Sequence, residues 1–336
     1  MNYNTDPQQS ATPYHLTEEY KETQAIKKTS NYIGLAIILS IIFVLLAGII
    51  LGSIAKIFIS PSNTNDAFKG MDPVIYYVIN SIMSIIASVL PFYMVSSLMK
   101  NKTSDLIQFK PLEKKFGLAC IGIGMMVCVY SNIAANLLLS NLNSIGFHPS
   151  IPEMPYDNSI VSIIMYIISI SIIPPLVEEF AYRGIILGSL RKYGDGFAIL
   201  VSATLFGLMH ANFSQIPFAF IIGLILGFLT VRLNSILPAI IIHFINNFSA
   251  TILEIIKNNF GEYYSNLIEY SFFLLLVFIG VFCLIYILKK DKSFFSIQRS
   301  TSVLNLKQNI NSCASGSIMI ISLIFIALET LLSSIS

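Results

Sequence analysis

The chain has 336 residues, of which 55% are hydrophobic and only 11% are charged, and its mean hydropathy is +0.75. Soluble domains carry about 25% charged residues. A chain with so few charged residues cannot cover a water-facing surface, which excludes a soluble globular domain. The net charge is only +2, and no long block of lysine and arginine is present. The sequence therefore gives no indication of a nucleic-acid partner.

Apolar runs of about 20 residues, the length that crosses a hydrocarbon core about 30 Å thick, recur along the chain. They predict an all-α, polytopic transmembrane helical bundle of about eight or nine helices, the ninth carrying Glu329. Glycine, proline and asparagine clusters separate the runs. The predicted spans are 33–57, 74–98, 116–139, 159–190, 197–213, 217–233, 236–256, 271–288 and 317–334.

The distribution of positive charge predicts the orientation of this bundle. With the N-terminus in the cytoplasm, 17 of the 20 lysine and arginine residues fall inside, and only Lys56, Lys69 and Lys257 fall outside. The positive-inside rule demands this asymmetry. The first apolar run is too long for a signal peptide, so we expect it to remain as an anchor. The four cysteines form no CxxC pair, and we expect free thiols.

The fourth predicted span holds the most costly group of charged residues. A charged side chain inside a span costs about 2.5–3.5 kcal/mol, so those that persist usually face a partner or a cavity. Glu179 and Arg183 are four residues apart on one helix face, which predicts an ion pair. Glu178 points about 100° away and is left without a cation nearby in sequence. Glu178 is therefore the candidate general base.

Two further spans contribute polar groups of the kind found in active sites. His210 follows Phe206 by four residues in the fifth span, and His243 precedes Asn247 by four residues in the seventh. The second spacing puts an imidazole and an amide on one helix face, where both are able to donate hydrogen bonds. Counted from the predicted cytoplasmic helix ends, Glu178, His210 and Asn247 each lie about 20 Å deep. We expect them to meet in one layer.

This set of groups is suited to the hydrolysis of an amide. A glutamate and a histidine can activate a water molecule, while a second histidine and an asparagine can stabilise the oxyanion of a tetrahedral intermediate. The chain contains no GxSxG elbow, GxGD pair or HExxH motif, so the other common intramembrane hydrolase chemistries lack their groups. The residues themselves favour an intramembrane hydrolase.

Three motifs stand in order on separate spans, and together they resemble those of the CPBP family, the CAAX proteases and bacteriocin-processing enzymes. They are Glu178-Glu179-xxx-Arg183, Phe206-xxx-His210 and His243-xxx-Asn247. The resemblance covers roughly residues 120–260. It implies a glutamate-dependent intramembrane endopeptidase without a cofactor, in which Glu178 with His210 activates water and His243 with Asn247 holds the oxyanion. The supporting residues would be Glu179, Arg183 and Phe206.

The same resemblance implies a division of the chain and a class of substrate. Residues 116–260 would form the protease core, after a cytoplasmic tail at 1–30 and transmembrane helices at 31–115, and before helices and a tail at 261–336. Substrates would be membrane-anchored peptides or proteins in the lipid bilayer. The composition, rich in Ile, Asn and Lys, suggests a bacterial cell membrane and favours peptide or bacteriocin-related processing over prenyl-protein maturation.

Three alternatives stay open at this stage. Glu178, His210 and His243 can in principle form a zinc site, although Asn247 suits an oxyanion better than a metal. A non-proteolytic scaffold or a bacteriocin self-immunity protein would have the same fold. A transporter also uses membrane glutamate and histidine, but its polar residues would line more spans.

Overall fold

The structure is a computed structural model that describes residues 18–58, 68, 71–100, 103–149, 157–297 and 302–335. These residues form eleven helices and no strand, with one isolated antiparallel bridge between Phe109 and Ser235. The predicted all-α class is therefore confirmed. Residues 1–17 of the predicted tail, and Lys69 of the predicted outer face, lie outside the described residues. The four cysteines are free, as expected.

The helices are α1 Glu18–Phe58, α2 Pro73–Leu98, α3 Thr103–Leu106, α4 Lys114–Ser144, α5 Ile160–Tyr193, α6 Asp195–Leu208, α7 Ile216–Leu233, α8 Leu237–Phe260, α9 Glu262–Lys290, α10 Leu306–Ala314 and α11 Ser317–Ile335. Their starts follow from local chemistry. The Asp72 carboxylate caps α2 by accepting hydrogen bonds from two backbone N–H groups, and Asn305 caps α10. Proline stands in the first turn of α7 and α8, where its missing N–H is not needed.

Within the described ranges, seven helices are long and apolar enough to cross a membrane, and they confirm a polytopic bundle: α1, α2, α4, α5, α7, α8 and α9. The helices α10 and α11 would together make an eighth span, but they meet at an angle of 76°. The predicted fifth span falls short of a crossing. Helix α6 ends at Leu208 after 14 residues, which is about 21 Å of helix against a core of about 30 Å. The chain then turns back, so that α6 and α7 pack as a helical hairpin.

The long helix α5 contains two π-helical turns, Ile168–Ile172 and Phe180–Ile186, one on each side of the two adjacent glutamates. Proline has no N–H to donate and its ring crowds the carbonyl four residues before it, which a wider turn relieves. Pro174 and Pro175 therefore leave the carbonyl of Ile170 without a helical donor. The side-chain amide of Asn247 on α8 donates to that oxygen instead, at 3.3 Å.

Two glycines allow neighbouring helices to approach closely. A Cβ atom at Gly223 of α7 would lie 3.0 Å from the Cα atom of Ala203 on α6. A Cβ atom at Gly34 of α1 would lie 2.8 Å from the backbone of Met319 on α11. The hairpin of α6 and α7, and the contact of α1 with α11, both depend on these small residues.

One end of the bundle gathers the loops that carry much of the positive charge, and we call it the basic end. Arg191, in the last turn of α5, pairs with Asp195 at 2.9 Å and donates to the Asn234 side chain at 3.2 Å. The backbone N–H of Ile236 donates to the carbonyl of Gln108 at 2.9 Å. Two further ion pairs tie α9 to this end: Arg232 with Asp291, and Lys290 with Glu113. The basic end consists of the loops at 103–113, 191–195, 232–236 and 290–297.

Candidate active site

A buried ionic network joins α5 to α8 in the interior of the bundle. The side chains of Glu179 and Arg183 are fully buried and pair at 3.0 Å between Oε1 and Nη1. The same Oε1 accepts a hydrogen bond from Nδ1 of His243 at 2.8 Å. Arg183 also donates to the carbonyl of Gly223 at 3.4 Å and lies 4.2 Å from the centroid of the Phe206 ring. The predicted ion pair is present, and it also holds a motif histidine.

His243 has one ring nitrogen engaged and one directed at Glu178. Its Nδ1 carries a proton, because the Glu179 carboxylate can only accept. Its Nε2 lies 3.9 Å from Oε2 of Glu178. A neutral ring presents a lone pair at this position, and a protonated ring presents an N–H.

His210 lies in the turn after α6, whereas the sequence predicted it inside a span. Its Nδ1 donates to the carbonyl of Phe206 at 2.8 Å, so Nε2 of the neutral ring is able to accept. The next residue, Ala211, has a φ of +48°, which turns the chain immediately after the histidine. The Phe206 ring makes edge-to-face contacts with both imidazoles, at 5.1 Å from His210 and 5.8 Å from His243 between centroids.

All four predicted catalytic residues line one cavity of about 300 Å³, which we call the catalytic cavity. The Glu178 side chain is 30% exposed, whereas that of Glu179 is 0% exposed. A second cavity of about 290 Å³, which extends toward α1 and α2, shares Glu178 and His210 with the first. Glu178 and His210 therefore lie where the two cavities meet.

The four residues come from α5, from the turn after α6 and from α8, and their catalytic roles stay predictions. Four polar residues that the sequence motifs did not indicate also line the catalytic cavity, among them Gln215 and Glu254. Gln215 lines both cavities, and no motif marks it in the sequence. Glu254 lines the catalytic cavity and stands seven residues after Asn247. A spacing of seven residues returns to the same helix face, so the sequence could have indicated that Glu254 lies on the face of Asn247.

The histidines were also candidate zinc ligands in the sequence. In each histidine, Nδ1 donates a hydrogen bond to an oxygen atom and Nε2 is available as a ligand. Metal-bound histidines show the same arrangement. In the described part of the chain, however, no three His, Cys, Asp or Glu side chains are grouped so that they could hold a metal ion. The alternative of two histidines and one carboxylate around zinc therefore stays a prediction.

Residues 160–249 match the family model of the type II CAAX prenyl endopeptidase Rce1-like proteins, and all three motifs lie within this range. The membrane-embedded CAAX protease MroQ of Staphylococcus aureus is 32% identical over 100 residues, which cover 28% of this chain and 40% of that protein. The putative membrane peptidase YdiL of Bacillus subtilis is 33% identical over 93 residues, which cover 27% of this chain and 38% of that protein.

An uncharacterized 24.3 kDa protein of Escherichia coli is 26% identical over 127 residues, which cover 36% of this chain and 57% of that protein. The chain thus spans less than two thirds of the length of each of these relatives. No solved structure matches it. The resemblance predicted from the three motifs is confirmed over residues 160–249.

Proposed function

We propose that this chain, an integral membrane protein with an Rce1-like domain at residues 160–249, is an intramembrane endopeptidase that cleaves membrane-associated peptides or proteins. Glu178 with His210 activates the attacking water, and His243 with Asn247 stabilises the oxyanion. The reaction uses no cofactor. The observation that carries this proposal is that all four side chains line one cavity inside a membrane bundle.

Water activation begins at the partly exposed carboxylate of Glu178. Glu178 takes a proton from a water molecule that also donates to Nε2 of His210, and the water oxygen attacks the peptide carbonyl carbon. The new C–O bond moves an electron pair onto the carbonyl oxygen. When the C–N bond breaks, the proton on Glu178 passes to the leaving nitrogen. The products are a carboxylic acid and an amine, and Glu178 regains its starting charge.

Oxyanion stabilisation requires a donor at Nε2 of His243. Because Nδ1 already donates to Glu179, only the protonated ring has a second N–H for the substrate. With His243 protonated, the charges of this arrangement balance, since His243 and Arg183 then carry two positive charges against the carboxylates of Glu178 and Glu179. The side-chain amide of Asn247 is the second donor.

The proposed setting is a bacterial cell membrane, with the N-terminus in the cytoplasm. The loops of the basic end are those that the positive-inside rule assigns to the cytoplasm. With this orientation, the catalytic cavity lies within the bilayer, about 20 Å from the cytoplasmic helix ends. A membrane-anchored substrate therefore presents its scissile bond at the depth of Glu178.

The experiment compares purified wild-type protein with Glu178→Gln on a quenched library of membrane peptides in lipid, with and without a strong chelator. Glutamine keeps the shape of the side chain but cannot accept the proton from water. Glu329→Gln is the matched control, because Glu329 is a membrane-helix glutamate on the exposed face of α11, away from both cavities.

We expect the wild type and Glu329→Gln to cleave equally, and Glu178→Gln to show no cleavage while it inserts and folds normally. Equal cleavage by Glu178→Gln would remove Glu178 as the base. Cleavage that the chelator abolishes would move the mechanism to zinc. If the folded wild type cleaves no peptide of the library, the function shifts to the scaffold or self-immunity alternative.

A further inference from the structure

The catalytic cavity contains a second carboxylate that the proposed mechanism does not use. Glu254 lies on α8, seven residues after Asn247 and eleven after His243. Residues at these spacings share one helix face, and Glu254 lines the same cavity as the motif residues. Along the helix axis it lies about 10 Å from Asn247 and about 16 Å from His243, toward the end of the bundle opposite the basic end.

The Glu254 carboxylate is held in place by a buried tyrosine. The hydroxyl of Tyr166 on α5 donates to Oε2 of Glu254 at 2.5 Å. Tyr166 is only 1% exposed, and its ring packs against that of Tyr77 on α2, 5.6 Å away between centroids. The tyrosine itself is therefore fixed, so that the carboxylate has a defined position beside the cavity.

No cation balances this carboxylate among the described residues. None of the ion pairs there involves Glu254, although Lys257 follows three residues later on the exposed side of α8. The catalytic cavity is lined by two carboxylates, Glu178 and Glu254, and by no lysine or arginine. The polar residues of α8 that immediately precede Glu254 in the cavity lining are uncharged, among them Thr251, which accepts a hydrogen bond from Ser171, and Asn247.

We propose that Glu254 forms a specificity subsite that binds a cationic group of the substrate, either a lysine or arginine side chain or a free N-terminal amine. The proposal rests on the proposed function, because the ligand is the peptide that this enzyme cleaves. An extended peptide advances about 3.3 Å per residue. The axial distances from Asn247 and His243 therefore place the cationic group about three to five residues from the scissile bond.

The competing explanation is a purely structural hydrogen bond between Tyr166 and Glu254. A structural bond needs an acceptor but not a charge, because a tyrosine hydroxyl can also donate to a neutral amide oxygen. Glu254→Gln keeps the acceptor and removes the charge. Tyr166→Phe removes the donor and keeps the charge. The two substitutions thus separate the two explanations.

The experiment measures peptide binding in the non-cleaving Glu178→Gln background. Labelled membrane peptides carry either lysine or its uncharged analogue norleucine at successive positions two to six residues from a central bond. A parallel pair has a free or an acetylated N-terminus, which distinguishes a side chain from a terminal amine. Affinities are compared among Glu178→Gln, Glu178→Gln with Glu254→Gln, and Glu178→Gln with Tyr166→Phe.

We expect a cationic group at one position to strengthen binding by about tenfold, the effect of a close ion pair shielded from water. Glu254→Gln should remove this preference and leave the affinity for the norleucine peptide unchanged, while Tyr166→Phe should retain the preference. The subsite is overturned if no cationic position strengthens binding, if the preference survives Glu254→Gln, or if Glu254→Gln weakens both peptides equally. Failure of the proposed function shows separately, as an absence of cleavage by wild type.

Discussion

Glu178 and Glu179 are adjacent in the chain, yet their side chains meet opposite surroundings. Glu179 is fully buried and accepts hydrogen bonds from Arg183 and His243, whereas Glu178 is 30% exposed and lines two cavities. A rotation of about 100° between successive helical residues is enough to produce this difference. At the scale of single residues, one glutamate therefore belongs to the structure of the site and the other is available for chemistry.

Removing the arginine of the buried network should destabilise the protein strongly. Arg183→Ala leaves the Glu179 carboxylate buried without its cation, which costs about 3–5 kcal/mol in comparable buried pairs. Lys21→Ala is the control, because its pair with Glu18 is exposed and is worth at most about 1 kcal/mol. Thermal unfolding of both variants in the same detergent provides the measurement. Equal losses of stability would show that the buried network contributes no more to stability than an exposed ion pair.

Truncating the motif asparagine should slow catalysis while the protein stays folded. Asn247→Ala removes a proposed oxyanion donor, and losses of about 10²–10³ in kcat are typical for such a group. Asn132→Ala on α4 is the control, since Asn132 donates to its own helix and lies outside the catalytic cavity. The rates are measured on one cleaved peptide at saturation. A near-normal kcat for Asn247→Ala would reject the oxyanion role.

At the scale of helices, hydropathy predicted the apolar segments well but not where the helices begin and end. The predicted first span starts at residue 33, whereas α1 begins at Glu18 within the described residues. Its polar part packs against other helices: the Thr29 hydroxyl lies 3.2 Å from that of Tyr193, and Ser30 donates to the carbonyl of Cys313 at 2.5 Å. Such contacts between distant segments leave no periodic trace in the sequence.

The contact between α1 and α11 should be sensitive to a single methyl group. In Gly34→Ala the new Cβ would lie 2.8 Å from the backbone of Met319, so the helices must separate. Overpacking of this kind costs about 1–3 kcal/mol. Gly48→Ala is the matched control on the same helix, because nothing lies within 4 Å of its Cβ position. We expect thermal unfolding to show a lower midpoint for Gly34→Ala only. An unchanged midpoint would mean that α11 adjusts freely.

At the scale of the whole molecule, the short α6 does not disturb the predicted sidedness. Arg191 binds both Asp195, at the start of α6, and Asn234, just after α7, so the hairpin enters and leaves at the basic end. Whether α6 and α7 cross fully or turn back inside the bilayer, the loops that follow stay on the same side. The predicted side of each charged loop depends on whether an even or an odd number of crossings separates it from the N-terminus. It does not depend on the length of each span.

The sidedness can be tested by labelling single cysteines in intact cells, in a variant without the native cysteines. Lys292→Cys lies in the basic end, and Glu262→Cys lies at the start of α9 at the opposite end; both positions are exposed. We expect a membrane-impermeant maleimide to label Glu262→Cys only, since the proposed orientation places the basic end in the cytoplasm. Labelling of Lys292→Cys alone would invert the proposed orientation.

The candidate site was predictable to the extent that its residues stand in motifs. Glu178, His210, His243 and Asn247 were all identified from polar groups in apolar spans, and the structure brings them to one cavity. Gln215 was not identifiable, because it stands in the turn between α6 and α7 and only the return of the hairpin directs it into both cavities.

For the proposed function, the meeting of two cavities at Glu178 has a kinetic consequence. A peptidase with a single mouth must admit its peptide and its water through the same opening, so a bound peptide blocks renewal of the nucleophile. Here the peptide can fill the cavity along α8 while the cavity toward α1 and α2 stays available as a reservoir. Each new water can then reach Glu178 from the unoccupied side without displacement of the bound peptide.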